Sequence, residues 1–183
     1  FTYNGQTPGN YFLGALSDGG AALINGTNLY VQDVDGNILY NTTVYETNRS
    51  PNPIAAGGIV DLGNGTFAVT WVENRHNMYA RIFNNDGTPV TGDISVGTGS
   101  FVDGKNAIAA LGGGTFAMVW GSETSGGQAN IMFKVFGSDG TALTGEVDSG
   151  ANSVYGSFLH ATALQNGDIA VVFKGDADSN GIR

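Results

Sequence analysis

The chain has 183 residues, of which 41% are hydrophobic, with ten Phe, seven Tyr and two Trp; this is enough apolar material for one packed domain and argues against global disorder. Seven Lys and Arg stand against sixteen Asp and Glu, a formal net charge of −9, so no basic patch exists to hold nucleic acid or an anionic membrane surface. The absence of cysteine removes disulfides, thiolate metal sites and cysteine catalysis, and no apolar run reaches transmembrane length.

Thirty glycines beside only 13% charged residues predict many short strands joined by tight turns. In chain order, the first such unit opens at Leu16-Ser17-Asp18-Gly19-Gly20-Ala21-Ala22-Leu23-Ile24. A strand Leu29–Val34 follows, then an Asp35-Gly36-Asn37 turn and a short strand over Ile38–Tyr40. A sharper copy begins at Leu62-Gly63-Asn64-Gly65 and continues Thr66-Phe67-Ala68-Val69-Thr70-Trp71. Its second part is Met78–Phe83, the turn Asp86-Gly87-Thr88 and a strand expected over 89–96.

The third copy reads Leu111-Gly112-Gly113-Gly114-Thr115-Phe116-Ala117-Met118-Val119-Trp120. It continues with Ile131–Phe136, the turn Asp139-Gly140-Thr141 and a strand expected over 142–147. The fourth is Leu164-Gln165-Asn166-Gly167-Asp168-Ile169-Ala170-Val171-Val172-Phe173. The four leucines lie 46, 49 and 53 residues apart. That spacing suits blades of a β-propeller or a related β-repeat array, roughly 40–50 residues each.

Each unit is read as a hairpin plus two further strands, about four short antiparallel strands in all. The Asn-Gly, Gly-Gly and Asp-Gly pairs supply the positive φ that tight turns require. Alternation puts Phe67, Val69 and Trp71 on one face, matched by Phe116, Met118 and Trp120 and by Ile169, Val171 and Phe173. The opposite faces are also fairly apolar, which predicts sheets sandwiched between neighbours. The two tryptophans and Tyr79 and Tyr155 could stack on sugars, but the matching repeat positions of Trp71 and Trp120 read as core.

The units are drawn as 12–50, 51–104, 105–157, and 158–183 together with 1–11. The last repeat is thus split between the C- and N-termini: Ile182-Arg183 followed by Phe1-Thr2-Tyr3-Asn4-Gly5-Gln6-Thr7-Pro8 matches the stretch from Ala80 to Pro89. The interval from Leu164 across this junction to Leu16 is only 35 residues, so the shared unit is short of an outer strand. Phe1, Tyr3, Ile182 and Arg183 are therefore the candidate self-association residues. Closure within one molecule, head-to-tail strand addition between molecules, and excision from a longer tandem array all stay open.

Asp176-Ala177-Asp178-Ser179-Asn180-Gly181 carries the alternating oxygen ligands and sixth-position Gly of the start of a calcium loop, making Asp176, Asp178 and Asn180 candidate calcium ligands. The twelfth-position Glu of a full EF-hand is missing, and an acidic Gly-containing turn between strands is the favoured reading of the same residues. Asp33-Val34-Asp35-Gly36-Asn37 reads as a turn. Asn25, Asn41, Asn48 and Asn64 head Asn-X-Ser/Thr triplets and are candidate glycosylation sites, all expected on turns or loops.

For catalysis the chain offers little. Its histidines are His76, in a polar loop, and His160, in a strand-like segment, and no nucleophile, zinc, P-loop or dinucleotide motif is present. Asp61, Glu73, Asp93, Glu123 and Glu146 are scattered without a carboxylate-pair signature. The expectation is a protein that is not an enzyme.

The pattern Leu-x-x-Gly-x-Phe-x-Val-x-Trp, a strand, then Asp-Gly-Thr, resembles the tandem β-repeats of very large secreted bacterial adhesins and type-I-secreted surface proteins with RTX segments. The resemblance implies an extracellular or cell-surface location and a scaffold or adhesion role. The RTX nonapeptide itself is absent, so calcium does not follow from that family. The stretch from Asp176 to Gly181 more weakly resembles the calcium loops of FG-GAP propellers. Together these readings predict an all-β, extracellular structural or adhesive protein associating with identical subunits into a filament or array. The alternative is a glycan-binding propeller lectin with a carbohydrate partner.

Overall fold

The computed structural model describes residues 11–45, 54–73, 76–98, 101–124, 128–154 and 159–173, and among these every regular element is a β-strand. The first sheet contains β1 (Tyr11–Ala15), β2 (Ala21–Asn25), β3 (Asn28–Gln32) and β4 (Ile38–Thr43). The second contains β5 (Ile54–Asp61), β6 (Thr66–Glu73), β7 (Asn77–Asn84) and β8 (Ile94–Thr98). The third contains β9 (Phe101–Gly112), β10 (Thr115–Glu123), β11 (Gln128–Phe136) and β12 (Val147–Val154); the fourth, β13 (Leu159–Ala163) and β14 (Ile169–Phe173). Each sheet is an antiparallel meander in sequence order. The sheets do not close into a barrel.

The repeated leucine marks the first hairpin of a unit. Its amide donates to the carbonyl four residues on: Leu16 to Gly20 at 2.9 Å, Leu62 to Thr66 at 2.9 Å, Leu164 to Asp168 at 2.8 Å. The Asp-Gly turns close in the same way, with Asp33 donating to Asn37, Asn84 to Thr88 and Gly137 to Thr141. Their glycines have φ of 86°, 88° and 80° at Gly36, Gly87 and Gly140, which L side chains adopt only with strain.

The fourth strand of a unit lies later than the sequence suggests. β8 starts at Ile94 and β12 at Val147, while Pro89 and Ala142 form only isolated bridges to Phe83 and Phe136. The intervening residues bulge because a threonine hydroxyl substitutes for backbone: Thr91 Oγ1 accepts from the Ile82 amide at 3.1 Å, and Thr144 Oγ1 from Val135 at 3.0 Å. In the first sheet the corresponding strand runs past Tyr40 to Thr43, since Thr42 and Thr43 continue the ladder opposite Leu29 and Asn28.

Consecutive sheets pack face to face. Phe67, Val69 and Trp71 join Leu16, Ala22, Ile24, Leu29 and Val31 in one buried cluster between the first and second sheets. Phe116, Met118 and Trp120 join Ala68, Val72, Met78, Ala80 and Ile82 between the second and third. Ile169, Val171 and Phe173 pack on Ala107, Ala109, Val119 and Ile131 between the third and fourth. The large-residue face of each sheet therefore covers the small-residue face of the one before it. Phe67 stacks on Phe83 with centroids 5.5 Å apart, and Phe116 on Phe136 at 5.3 Å, so the second and third strands of a unit carry one aromatic pair into each joint.

The first strands neighbour one another in chain order, β1 on β5, β5 on β9 and β9 on β13. Glycines permit this approach. A Cβ on Gly14 would lie 2.6 Å from Ile59, and one on Gly57 would overlap the Asn106 side chain. Asn106 is itself buried and accepts from Thr70 Oγ1 at 2.9 Å, linking the second and third sheets through a polar contact. Lys134 Nζ reaches back from β11 to the Val96 carbonyl at 3.0 Å across the same joint.

Candidate functional site

The fourth sheet differs from the other three. Among the described residues it has two strands, and β14 pairs only with β13. Two-residue alternation in Ile169–Phe173 directs Ile169, Val171 and Phe173 at the third sheet. Beyond β14, no strand among the described residues covers the outward face of β11 and β12. The result is an apolar cleft of about 690 Å³ whose walls include Ile131, Phe133, Val135, Ala151, Leu164 and Ile169. That volume falls in the range of roughly 300–1,000 Å³ typical of binding pockets. In the preceding joint the matching positions of β7, Met78, Ala80 and Ile82, are fully buried beneath the third sheet.

Among the described residues, each end face of the row carries an exposed apolar side chain. Val172, on the far side of β14, is 62% exposed, and Leu13, on the side of β1 away from the second sheet, is 61% exposed. An unpaired strand edge beside an apolar cleft is a template for another strand.

Trp71 and Trp120 are 0% and 2% exposed, in the sheet joints rather than on a platform, and Trp71 Nε1 donates to buried Glu73 Oε1 at 3.1 Å. Tyr79 stacks on Trp71 with centroids 5.7 Å apart. Tyr155 lies outside the described residues.

The candidate glycosylation asparagines divide. Asn25 ends β2 at the Gly26-Thr27 hairpin and is half-buried, while Asn64 is exposed on the Leu62 turn, as expected. Asn64 Oδ1 accepts from Thr66 Oγ1 at 2.6 Å and the side chain lies over Gly114. Asn41, expected on a turn or loop, instead sits inside β4 opposite Tyr30, because the ladder extends to Thr43. Asn48 lies outside the described residues, as do Asp176, Asp178 and Asn180, and Phe1, Tyr3, Ile182 and Arg183.

The Asp33 loop is a turn. Asp33 Oδ1 accepts from the amides of Asp35 and Asn37 at 3.0 and 2.8 Å, and Oδ2 from Asn37 Nδ2 at 2.8 Å. The Asn37 side chain foremost, then its backbone amide, hold the Asp33 carboxyl below its ordinary value. Asp86 and Asp139 do the same with the hydroxyls and amides of Thr88 and Thr141.

Three of the carboxylates noted in the sequence, Asp61, Glu73 and Asp93, have partners in the structure. Asp61 accepts from the Ser17 amide of the first sheet, and Asp93 approaches Arg81 at 4.0 Å. Among the described residues no group of three or more His, Asp or Glu is placed to hold a metal ion. What sequence reasoning missed is the cleft itself, which depends on side chains of β11 and β14 brought together only by sheet stacking.

No family model matches the chain, and no curated protein matches it. Among solved structures, a protein of unknown function from Bacteroides caccae superposes with a TM-score of 0.52 at 14% identity, over 87% of this chain and 51% of the other. A chain from a structural and mechanistic analysis of two prolyl endopeptidases gives a TM-score of 0.48 at 12% identity, over 92% of this chain and 25% of that one. This chain thus spans about half and a quarter of their lengths. The first likeness is one of fold alone.

Proposed function

We propose that the protein is a non-enzymatic, extracellular structural or adhesive subunit that associates head-to-tail with copies of itself. Its units are propeller-blade-like sheets arranged as an open row. The observation that carries this reading is that, among the described residues, β14 pairs only with β13 and lies beside an apolar cleft. The first three sheets meet in two joints of one kind, in which large residues cover the small residues of the preceding sheet. The fourth begins that joint and leaves β11 and β12 half covered. Burying such a surface against a second molecule is favourable at about 25 cal/mol per Å² of apolar area. A contact between one end of a molecule and the other end of the next is heterologous, and it propagates unless rotation closes it.

The extracellular assignment rests on the acidic, cysteine-free, Gly-rich composition and on the resemblance to secreted adhesin repeats. The deciding measurement is the size of the native particle by light scattering and electron microscopy across a concentration series. Particles that grow with concentration are expected. A lone monomer at all concentrations would overturn the reading.

A further inference from the structure

We infer that the side of the row formed by the Asp-Gly turns and the bulges after them is a docking surface for a basic polypeptide segment in the polyproline II conformation, carrying an aliphatic side chain at every third position. This surface lies apart from the cleft and does not depend on association between copies.

The aliphatic part repeats. Leu39, Val90 and Leu143 each stand three residues after the glycine of an Asp-Gly turn. They are 47%, 45% and 57% exposed. Bulges turn them outward. Leu39 is passed over by its ladder, in which Val31 faces Tyr40 and Gln32 faces Ile38. The amides of Val90 and Leu143 donate to the Ile82 and Val135 carbonyls at 2.8 Å, and the next amides, of Thr91 and Thr144, reach the same two carbonyls. The residues just before them, Ile38, Pro89 and Ala142, are exposed as well. Single exposed aliphatics are ordinary on a protein surface, but a pair at one place on three successive units is not scatter.

The acidic part alternates with it. Each later turn lies against a residue next to the aliphatic pair of the preceding unit. Gly87 meets Tyr40, beside Leu39, and a Cβ on Gly140 would stand 3.5 Å from the methyl of Thr91, beside Val90. The stripe therefore reads Asp35, Leu39, Asp86, Val90, Asp139, Leu143, with all three aspartates exposed. The turn bonds of Asp86 and Asp139 all fall on Oδ1, which leaves Oδ2 open to an outside donor. The cations on the third strands of these units are engaged elsewhere. Arg81 donates to the Thr91 carbonyl at 3.0 Å and approaches Asp93, and Lys134 donates to the Val96 carbonyl at 3.0 Å. An acidic stripe interrupted by aliphatics is complementary to a basic partner that carries aliphatics at the same interval.

The interval selects the conformation. Stacked sheets lie about 10 Å apart. Three residues of polyproline II, at about 3.1 Å each, cover about 9 Å and return to the same face. A β-strand returns to one face every second residue, about 7 Å, and falls out of step. A polyproline II chain also keeps its backbone solvated, so it needs no hydrogen bonds from a sheet edge.

The probe is a fluorescein-labelled peptide of about four Leu-Lys-Pro triplets, titrated with the full chain at low salt and followed by anisotropy. A Ser-Lys-Pro peptide keeps charge and period without the aliphatics, and a Leu-Glu-Pro peptide reverses the charge. Both are expected to bind at least tenfold more weakly. Replacing the aliphatics together (Leu39→Ser, Val90→Ser, Leu143→Ser), or the carboxylates together (Asp35→Asn, Asp86→Asn, Asp139→Asn), should weaken Leu-Lys-Pro binding at least tenfold with little change in the urea midpoint. Equal binding of Ser-Lys-Pro and Leu-Lys-Pro would reduce the stripe to general charge attraction and overturn the proposal. So would an unaltered chain that binds no Leu-Lys-Pro peptide, or folded variants that bind it as the parent does. The peptide comparison uses the unaltered chain, so it decides the matter even where a variant folds poorly. A serine variant that changes particle size, with no peptide bound by the parent, would assign the stripe to contact between copies instead.

Discussion

Gly87 lies so close to Tyr40 that a Cβ added to it would stand 2.4 Å from the tyrosine's own Cβ. Gly140 repeats the relationship one unit later, against Ile94 at 2.6 Å. The Asp-Gly turns of the second and third units therefore rest on the fourth strand of the preceding sheet, and their glycines are needed twice: for positive φ and for close approach.

Gly87→Ala and Gly140→Ala are each expected to lower stability by about 2–4 kcal/mol, combining left-handed strain with overpacking. Gly36→Ala, at φ 86° but with open space around it, should cost only about 1–2 kcal/mol. Urea denaturation of the three variants separates the two contributions. Equal losses at all three positions would show that the contact with the neighbouring sheet contributes nothing.

Phe116 and Trp120 occupy the joint between the second and third sheets, fully or almost fully buried. Phe116→Ala or Trp120→Ala should each cost about 3–5 kcal/mol. The midpoint of denaturation should fall together with any binding property measured, because the indole is part of the packing. A Trp120→Ala chain of unchanged stability that had lost binding to a glycan array would point instead to a sugar-stacking role.

The repeat was legible because it is local. Leucine closes a hairpin through its own amide, alternation separates Phe67 from Ala68, and Asp-Gly-Thr makes a turn from five consecutive residues. The late start of β8 and β12 was not legible. It depends on Thr91 and Thr144 bonding to residues nine positions earlier, a choice that the short mixed segments at 89–96 and 142–147 do not reveal. Nothing local marks Gly14, Gly57 and Gly87 as points of close approach, because their neighbours Ile59, Asn106 and Tyr40 belong to adjacent sheets. The cleft shares this origin, since Phe133 and Ile169 meet only when the third and fourth sheets stack.

Thr70 and Asn106 form a buried polar contact between the second and third sheets. Thr70→Val keeps the shape and removes the hydroxyl, and should cost about 1–2 kcal/mol. Thr70→Ser keeps the donor and should be milder by about half. A denaturation series in which Val is tolerated better than Ser would show that shape, not the hydrogen bond to Asn106, sets the requirement at this position.

Acid should weaken the fold through three repeated turns. The carboxyls of Asp33, Asp86 and Asp139 titrate below their ordinary value of 3.8, held there first by the side chains of Asn37, Thr88 and Thr141 and then by backbone amides. A carboxyl whose folded pKa is depressed adds stability above its unfolded value and loses it as pH falls through the folded value. The contribution of these turns is therefore complete at neutral pH, begins to fade near the ordinary value of 3.8 and is lost as the pH falls through the lower folded values. Asp86 and Asp139 are exposed and Asp33 is half-buried at the surface, so the effect per turn is small and screened by salt. Replacing all three with asparagine keeps an oxygen acceptor for the turn amides while removing the titration. The triple variant should match the parent in stability relative to its own neutral value down to about pH 5, then decline less steeply between about pH 4 and pH 2. Thermal melts across that range at low salt provide the measurement, and superimposable acid limbs for parent and variant would show that the turns do not carry the pH dependence.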